Sequence, residues 1–380
     1  MTCYETETQS HLRDLARKFA TKEMLPHIDQ DERDERFRPE WIRALGELGL
    51  TGVPVVEEYG GAGLGYQDYA VALEEVARVS AGYAISLAVT GLPQVILSQF
   101  GSPKQKEKWI RPLAEGRAIG AFSLSEAGSG SDAASLRTTA RRDGEFYVLQ
   151  GTKHWVTQGD FADVILVMAR TGGAGPKGIS TFILEKGTPG FQLGKREKKM
   201  GCHVSHTMEL VLDNVRLPAE NLVGAEGEGF KVAMTALDSG RITIAAAALG
   251  ISRAAMDVAI HYAQQRIQFG KPIGEFQGVS FLLADMATQW EAARLLVHRA
   301  AQLHDQGLPF SQEAAMAKLF ATDMAMRVTT DAVQVLGGSG YTQDFPVERY
   351  MREAKVLQIV EGTNQIQRLI IGKNLLEQKA

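Results

Sequence analysis

Cysteine is almost absent. The 380 residues contain two, Cys3 and Cys202, which excludes a disulfide framework and fits a reducing, cytosol-like compartment. Basic charge is not in excess. With 41 Lys and Arg against 45 Asp and Glu, the net charge is −4, which offers no electrostatic handle for nucleic acid or a membrane surface. Apolar runs such as Ile242–Leu249 are expected to fall short of the ~20 residues a membrane span needs. The segment Met1 to Glu5 is acidic and has no apolar core, so no signal peptide is expected. The dinucleotide fingerprint is missing as well. Gly61, Gly63 and Gly65 are spaced G-x-G-x-G rather than G-x-G-x-x-G, and no second strand with an acidic residue follows about 20 positions on, as a ribose contact would require. A loop between helices is the better account of that stretch.

What is present is ordinary for a soluble globular chain: 44% hydrophobic, 23% charged, and long enough for two or three domains. Up to about Glu115 the pattern is helical. Leu12, Leu15, Ala16 and Phe19 form one stripe, and Trp41, Leu45 and Leu48 another, at three-to-four spacing. Ser102 and Pro103 mark a helix start. From Ala118 to about Leu222 short β-rich runs take over: Ile119–Leu124, Phe146–Gln150, Val164–Met168, Ile179–Leu184 and Met208–Leu212, with Asp143-Gly144 as a hairpin turn. These predict a small antiparallel β-domain. From Gly229 on, Leu282, Met286, Ala293 and Leu296 mark one long helix. Ala315, Leu319, Thr322 and Met326 mark another, with Ser311 expected as its cap. The fold class is therefore α+β and multi-domain: an N-terminal α-helical domain (1–117), a middle antiparallel β-domain (118–225) and a C-terminal four-helix bundle (226–380).

One stretch near the end stands out. Leu357 to Val360 is an apolar run that delivers Glu361. Gly362 follows, then Thr363 as a helix N-cap, then Ile366, Leu369 and Ile370 at helical spacing. This predicts an extended segment bending into a helix with Glu361 at the bend. Partial desolvation there raises a carboxylate above its usual ~4.3 and makes it a better base near neutral pH. A solvated glutamate ahead of an ordinary helix has the same local pattern.

Other residues carry comparable ambiguity. Gly128, Ser129 and Gly130 sit in a loop from Ser125 to Asp132 that lets backbone N–H groups approach a ligand, or makes a plain surface turn. Trp155 and Thr157, two apart, share one face of a strand. Arg241 lies on a mostly apolar helix and must be paired if buried, either in a structural ion pair or at a ligand. Cys202 is read as a packed thiol and His203 as a surface or sheet histidine.

Taken together and in order, these segments resemble the flavin-dependent acyl-CoA dehydrogenase family, its short-chain and bacterial branch most of all. The carriers are Glu58 to Gly63; Leu124 to Asp132; Gly151 to Thr157; Leu237 to Arg241; Arg266 to Ile273; Gln334 to Gly338; and Glu361 to Arg368. The resemblance runs nearly end to end. It implies oxidation of the Cα–Cβ bond of an acyl-CoA, with Glu361 removing the α-proton and a β-hydride passing to the N5 atom of FAD. The base residue's own N–H and a flavin ribityl hydroxyl would bind the thioester oxygen. FAD contacts are implied at Phe122, Leu124, Ser125, Gly130 and Ser131, and at Trp155 and Thr157. Further FAD contacts, reaching a neighbouring subunit's cofactor, are implied at Arg266, Gln268, Phe269, Phe276, Gln277, Gln334, Leu336, Gly337 and Gly338; Thr363 and Gln365 complete the set. Substrate contacts are implied at Ser131, Leu237, Asp238, Arg241, Val360 and Gly362, with the Asp238-to-Arg241 turn bordering the thioester. No metal is implied.

Some relatives place the base just before the bundle arginine. Here that residue is Gly240, which leaves Glu361. Expected partners are the acyl-CoA, an electron-transferring flavoprotein and three further copies in a dimer of dimers, with no nucleic acid or membrane. The expected location is the cytoplasm, or the mitochondrial matrix had a transit peptide been removed. Two rivals share the resemblance: an O2-using acyl-CoA oxidase, and a catalytically silent acyl-CoA or acyl-carrier-protein binding module. The chain departs from the family pattern at Ala127, at Cys202-His203, at Gly91-Leu92-Pro93 and at Val360, where tyrosine is frequent. A smaller residue at 360 should widen the acyl chamber, and these departures together lead to the expectation of an acyl group that is short, branched, cyclic or otherwise bulky near Cα–Cβ.

Overall fold

The computed structural model describes residues 5–377; Cys3 lies outside them. Six helices come first: α1 (Glu7–Phe19), α2 (Leu25–Arg33), α3 (Pro39–Glu47), α4 (Tyr66–Ala77), α5 (Ala81–Phe100) and α6 (Pro103–Ala114). Their starts are encoded locally. Ser102 Oγ accepts the Gln105 N–H at 3.3 Å while Gln105 Oε1 accepts the Ser102 N–H at 2.9 Å, and Pro103 fills the first turn. Thr6 and Gln9 cap α1 in the same reciprocal way. Such a cap contributes about 1 kcal/mol. The glycine-rich stretch before α4 holds a single 3-10 turn, Glu57–Tyr59, and no strand.

The middle of the chain forms one eight-stranded sheet: β1 (Gly120–Ser123), β2 (Thr139–Asp143), β3 (Phe146–Thr157), β4 (Val164–Arg170), β5 (Ile179–Glu185), β6 (Phe191–Arg196), β7 (Thr207–Pro218) and β8 (Leu222–Val223). The expected Asp143-Gly144 hairpin joins β2 to β3, Asp143 pairing with Phe146 and Gly144 taking φ +60°. The sheet is not purely antiparallel, however. β1 runs parallel to β4, Gly120 opposite Val164. The β2–β3 excursion between them is long enough for the crossover that a parallel pair requires. β4 explains why its residues read as one unbroken apolar run. Val164, Leu166 and Met168 join the helical core, while Ile165, Val167 and Ala169 pack in the sheet's own core, so both faces are covered.

Helices return with α7 (Gly229–Gln265), α8 (Gln277–Asp305), α9 (Ser311–Leu336), α10 (Val347–Leu357) and α11 (Asn364–Glu377), and a two-residue hairpin, Ile267–Gln268 with Lys271–Pro272, separates α7 from α8. The expected limit on apolar runs does not hold. α5 and α7 are each long and apolar enough to cross a membrane by length and composition, but 83% of each apolar window is buried inside the protein. α7 spends its apolarity on α4, α5, α8 and α9, which surround it. Ser311 does not cap α9, because Phe310 holds that position; the Ser311 hydroxyl instead donates to Asp238 at 2.9 Å. Cys202 is buried, and burial pushes its thiol well up from its ordinary value, which fits a packed residue. His203 is half-buried, its ring against the Glu32 and Lys199 carbonyls.

Candidate active site

Glu361 is not delivered by an extended segment. Leu357 ends α10, and Ile359 and Val360 continue it as a turn, both of their N–H groups donating to the Val356 carbonyl. The β-branched pair that suggests a strand is the frayed end of a helix. Glu361 then takes a left-handed backbone, φ +55°, followed by Gly362 at +89°. Thr363 Oγ1 accepts the Ile366 N–H at 3.4 Å at the start of α11, so the expected cap stands. A left-handed non-glycine residue costs on the order of 1–3 kcal/mol and persists only where its surroundings hold it.

The turn aims the side chain at the middle of α7. Glu361 Oε2 is fully covered and has no hydrogen-bond partner among the described residues. A Cβ built on Gly240 would stand 2.5 Å from it, so the carboxylate fits only because residue 240 has no side chain. Burial is the largest influence and pushes Glu361 up to about 7, against the pull of the Arg241 and Lys318 cations. Its backbone N–H donates to no group among the described residues.

Arg241 is buried and paired with Asp238 one turn earlier. The segment Asp238 to Arg241 is a turn of helix α7, as the apolar pattern around Arg241 predicts. Asp238 also receives the Ser311 hydroxyl; burial raises its carboxyl while Arg241 opposes the shift. Leu237, Val360 and Gly362 are half-buried around this point. Two neighbours were not singled out from the sequence. Lys318 on α9 is completely buried and brought down to about 7, chiefly by burial. Tyr66 on α4 is buried, its hydroxyl raised by burial and by the charges of Asp305 and Glu361. Gly240 and Tyr66 also line a cavity of about 120 Å³, walled among others by Val55, Tyr69, Gly91, Leu92, Thr243 and His304. Neither Val360 nor Glu361 is among its lining residues.

A second surface is set by the sheet. Glu126 accepts the Arg137 and Thr138 N–H groups at 2.7 and 2.9 Å and the buried Lys153 ammonium at 2.9 Å, and Lys153 also donates to the Leu124 carbonyl at 3.0 Å. These bonds brace the Ser125-to-Asp132 loop from below. Burial brings Lys153 down to about 8. Gly128 and Gly130 face open space, and Gly130, Ser131 and Asp132 are exposed. His154 N–H donates to the Ser125 carbonyl at 2.9 Å, which sets Trp155 next to the loop. Trp155 is 59% exposed with φ +63°, at a bulge in the β3–β7 ladder. The bulge breaks the simple two-residue alternation expected there, yet Trp155 and Thr157 both stay out of the core while Val156 between them is buried. Phe122 and Ser125 are half-buried, and Leu124 is buried.

The third group lies elsewhere. Arg266 follows Gly240 along α7 by 26 residues, about 39 Å at 1.5 Å per residue. Arg266, Gln268 and Phe269 are exposed, Phe269 at 94% with φ +51°, and Phe269 meets Phe276 edge to face at 6.0 Å; Gln277 is exposed beside it. Gln334, Gly337 and Gly338 sit at the end of α9, tied to α7 by Tyr262 and Ser339 at 3.3 Å; Leu336 is buried and offers only backbone. Gln365 is exposed on α11.

Comparison with known proteins gives a uniform result. The acyl-CoA dehydrogenase N-terminal, middle and C-terminal domain families match residues 6–117, 121–215 and 227–376. The chain is 50% identical over 373 residues to an acyl-CoA dehydrogenase of Bacillus subtilis, covering 98% of both. It superposes on butyryl-CoA dehydrogenase from Megasphaera elsdenii with a TM-score of 0.97 at 47% identity, covering 99% of this chain and 100% of that one. It also superposes on a chain from a structural study of the electron transferring flavoprotein of Acidaminococcus fermentans with a TM-score of 0.98 at 47% identity, covering 100% of both.

Proposed function

The chain belongs to the acyl-CoA dehydrogenase family, and from that premise we propose that it oxidises a short, straight-chain acyl-CoA with Glu361 as the base. The class of activity, an oxidoreductase acting on a CH–CH group with FAD as cofactor, comes with the family. The observation that carries the assignment of the base is the covered, unpartnered Oε2 of Glu361 against Gly240.

The residues present fit FAD. Trp155 is a large aromatic ring left uncovered beside a braced loop whose two glycines face open space, as a flat ring system and its anionic groups require. Bound there, FAD supplies the acceptor for a hydride leaving Cβ. The protein's own part is to hold the substrate and move the α-proton. Glu361 Oε2 takes that proton from Cα, and a base poised near 7 matches a neutral working pH. Arg241 and Lys318 favour its ionised form. The free Glu361 N–H is available to the thioester oxygen as negative charge develops there. Trp155, Thr157 and the loop glycines orient the cofactor.

The cavity argues for chain length. About 120 Å³ is less than the ~150 Å³ that admits benzene, which suits a chain of few carbons and disfavours a ring. No Lys or Arg lines it, so an acyl group carrying a terminal carboxylate would find no permanent counter-ion. Val360 lies outside the wall and gives no support for a widened chamber. Anaerobic bleaching of the flavin by a panel of acyl-CoAs tests this. Butyryl-CoA is expected to reduce it fastest, with rates falling beyond six carbons and with cyclohexanecarbonyl-CoA. Faster reduction by a branched or cyclic thioester would overturn the substrate reading, and no reduction by any would overturn the activity.

The exposed patch at Arg266 and Phe269 lies too far along α7 to serve the Glu361 pocket of its own chain. We infer that it closes over a neighbouring copy's FAD within a tetramer, and that an electron-transferring flavoprotein reoxidises the cofactor. Arg266→Glu is expected to weaken FAD retention about tenfold or more, the value of one lost charge-assisted bond. Flavin occupancy after gel filtration measures this, and unchanged occupancy would remove Arg266 from the site.

A further inference from the structure

Lys318, like Arg241, is a buried charge near Glu361 that the mechanism above uses only as background, but unlike Arg241 it has no ion-pair partner among the described residues. Its relative exposure is zero, and no carboxylate lies within ion-pair distance of it among the described residues. Its ammonium donates instead to the Gly362 carbonyl at 2.9 Å and to Asn364 Oδ1 at 2.8 Å. A lysine interior to a helix and paired only with neutral oxygens is costly to keep, so a structural role alone explains it poorly.

The loop it binds is the one that needs holding. Glu361 and Gly362 both have left-handed backbones. The Gly362 carbonyl receives a second donor, Gln367 Nε2 at 2.8 Å, which also reaches the Glu361 carbonyl at 3.2 Å. Asn364 is fastened in turn by Thr322 and Asp323 from α9. Among the described residues Lys318 is the only cation that donates to the Gly362 carbonyl; Arg368 joins further out, donating to the Asn364 carbonyl at 3.2 Å and to Asp323 at 3.0 Å. The charged groups that influence Glu361 from the packed elements are Arg241 on α7 and Lys318 on α9, and Glu361 in turn raises the Tyr66 hydroxyl on α4; those influencing Lys318 are Glu361, Asp323 and Arg241.

Building on the assignment of Glu361 as the base, we propose that Lys318 is a positioning residue: its ammonium pins the Glu361–Gly362 turn through the Gly362 carbonyl and holds the Glu361 carboxylate ionised and aimed at the substrate's Cα. The two functions separate by substitution. Lys318→Gln keeps a donor for the Gly362 carbonyl but carries no charge, and Lys318→Met keeps the length of the stem and loses both. Burial of Glu361 and Lys318 sets both near 7, so kcat/KM of the wild-type holoenzyme with butyryl-CoA rises with pH through about 7 as the base ionises.

Removing the cation makes ionisation harder and moves that acid limb upward, against a pull from Arg241 that remains. In Lys318→Gln the limb moves while the rate of flavin reduction at pH 9 and the KM stay within about threefold of wild type. In Lys318→Met the limb moves equally and the rate at pH 9 falls about tenfold or more, because the turn is released. Thermal unfolding adds a readout free of turnover. A lysine whose folded value lies below its ordinary 10.5 costs stability increasingly as pH falls toward 7. The melting temperature of Lys318→Met therefore improves relative to wild type between pH 10 and pH 6. An acid limb unmoved in both variants would overturn the proposal, and Lys318→Gln preserves the test should the methionine variant not fold. Glu361→Gln distinguishes this failure from that of the reading beneath it: if that variant still reduces flavin the base is misassigned, and if it does not, an unmoved limb counts against Lys318 alone.

Discussion

Glu361→Gln is expected to keep the fold, retain FAD and bind acyl-CoA, and to lose at least ~10³ in the rate of flavin reduction, the scale of a general-base contribution where no second base is at hand. The substitution is nearly isosteric and removes only the ability to take a proton. The three atoms nearest a Cβ at Gly240 all belong to the Glu361 carboxylate, and the Asp238 carboxylate close by is engaged by Arg241 and the Ser311 hydroxyl. The loss therefore falls on the chemical step, and stopped-flow reduction by saturating butyryl-CoA measures it. Near-normal bleaching would refute the assignment. Stability moves the other way. Glu361 is raised from its ordinary 4.5 to about 7 by burial, so its ionisation costs the folded state stability as pH rises across that interval. The glutamine variant has no such cost, and its melting temperature gains on the wild type between pH 5 and pH 8.

Gly240→Ala is the more discriminating change. In a helix interior, glycine to alanine ordinarily stabilises by roughly 0.5–1 kcal/mol. Here the new methyl group would stand 2.5 Å from Glu361 Oε2, and the carboxylate, at the end of a rotatable side chain, yields. The fold survives at little cost, but a base displaced by about 1 Å can lose on the order of 10²-fold in rate. The expected result is a variant that melts no lower than wild type and reduces its flavin about a hundredfold more slowly. An unchanged rate would mean that the carboxylate works from another position.

How much of this could be read in advance depended on how local the cause was. Ser102 with Gln105, and Asp143 with Gly144, sit within a few residues of the partners that define them, so the helix start and the hairpin were legible. Glu361 was legible through its motif, but its approach was not. Ile359 and Val360 have strand-forming side chains, yet their N–H groups both bond back to the Val356 carbonyl and continue α10 as a turn. The parallel pairing of β1 with β4 and the path of Ser311 to Asp238 depend on partners 44 and 73 residues away. Lys318 left no trace in the sequence, because a lysine on an amphipathic helix is usually a solvated one. What marks it is the carbonyl it meets after α10 and α11 have folded back against α9. Tyr66 was hidden in the same way, as one aromatic among the core positions of α4.

The narrow gap between Gly240 and the Glu361 carboxylate also constrains descent. Positions 240 and 361 compete for one space, so bulk added at the first is felt by the carboxylate at the second, far away in the chain. The effect of a change at either position therefore depends on which residue stands at the other.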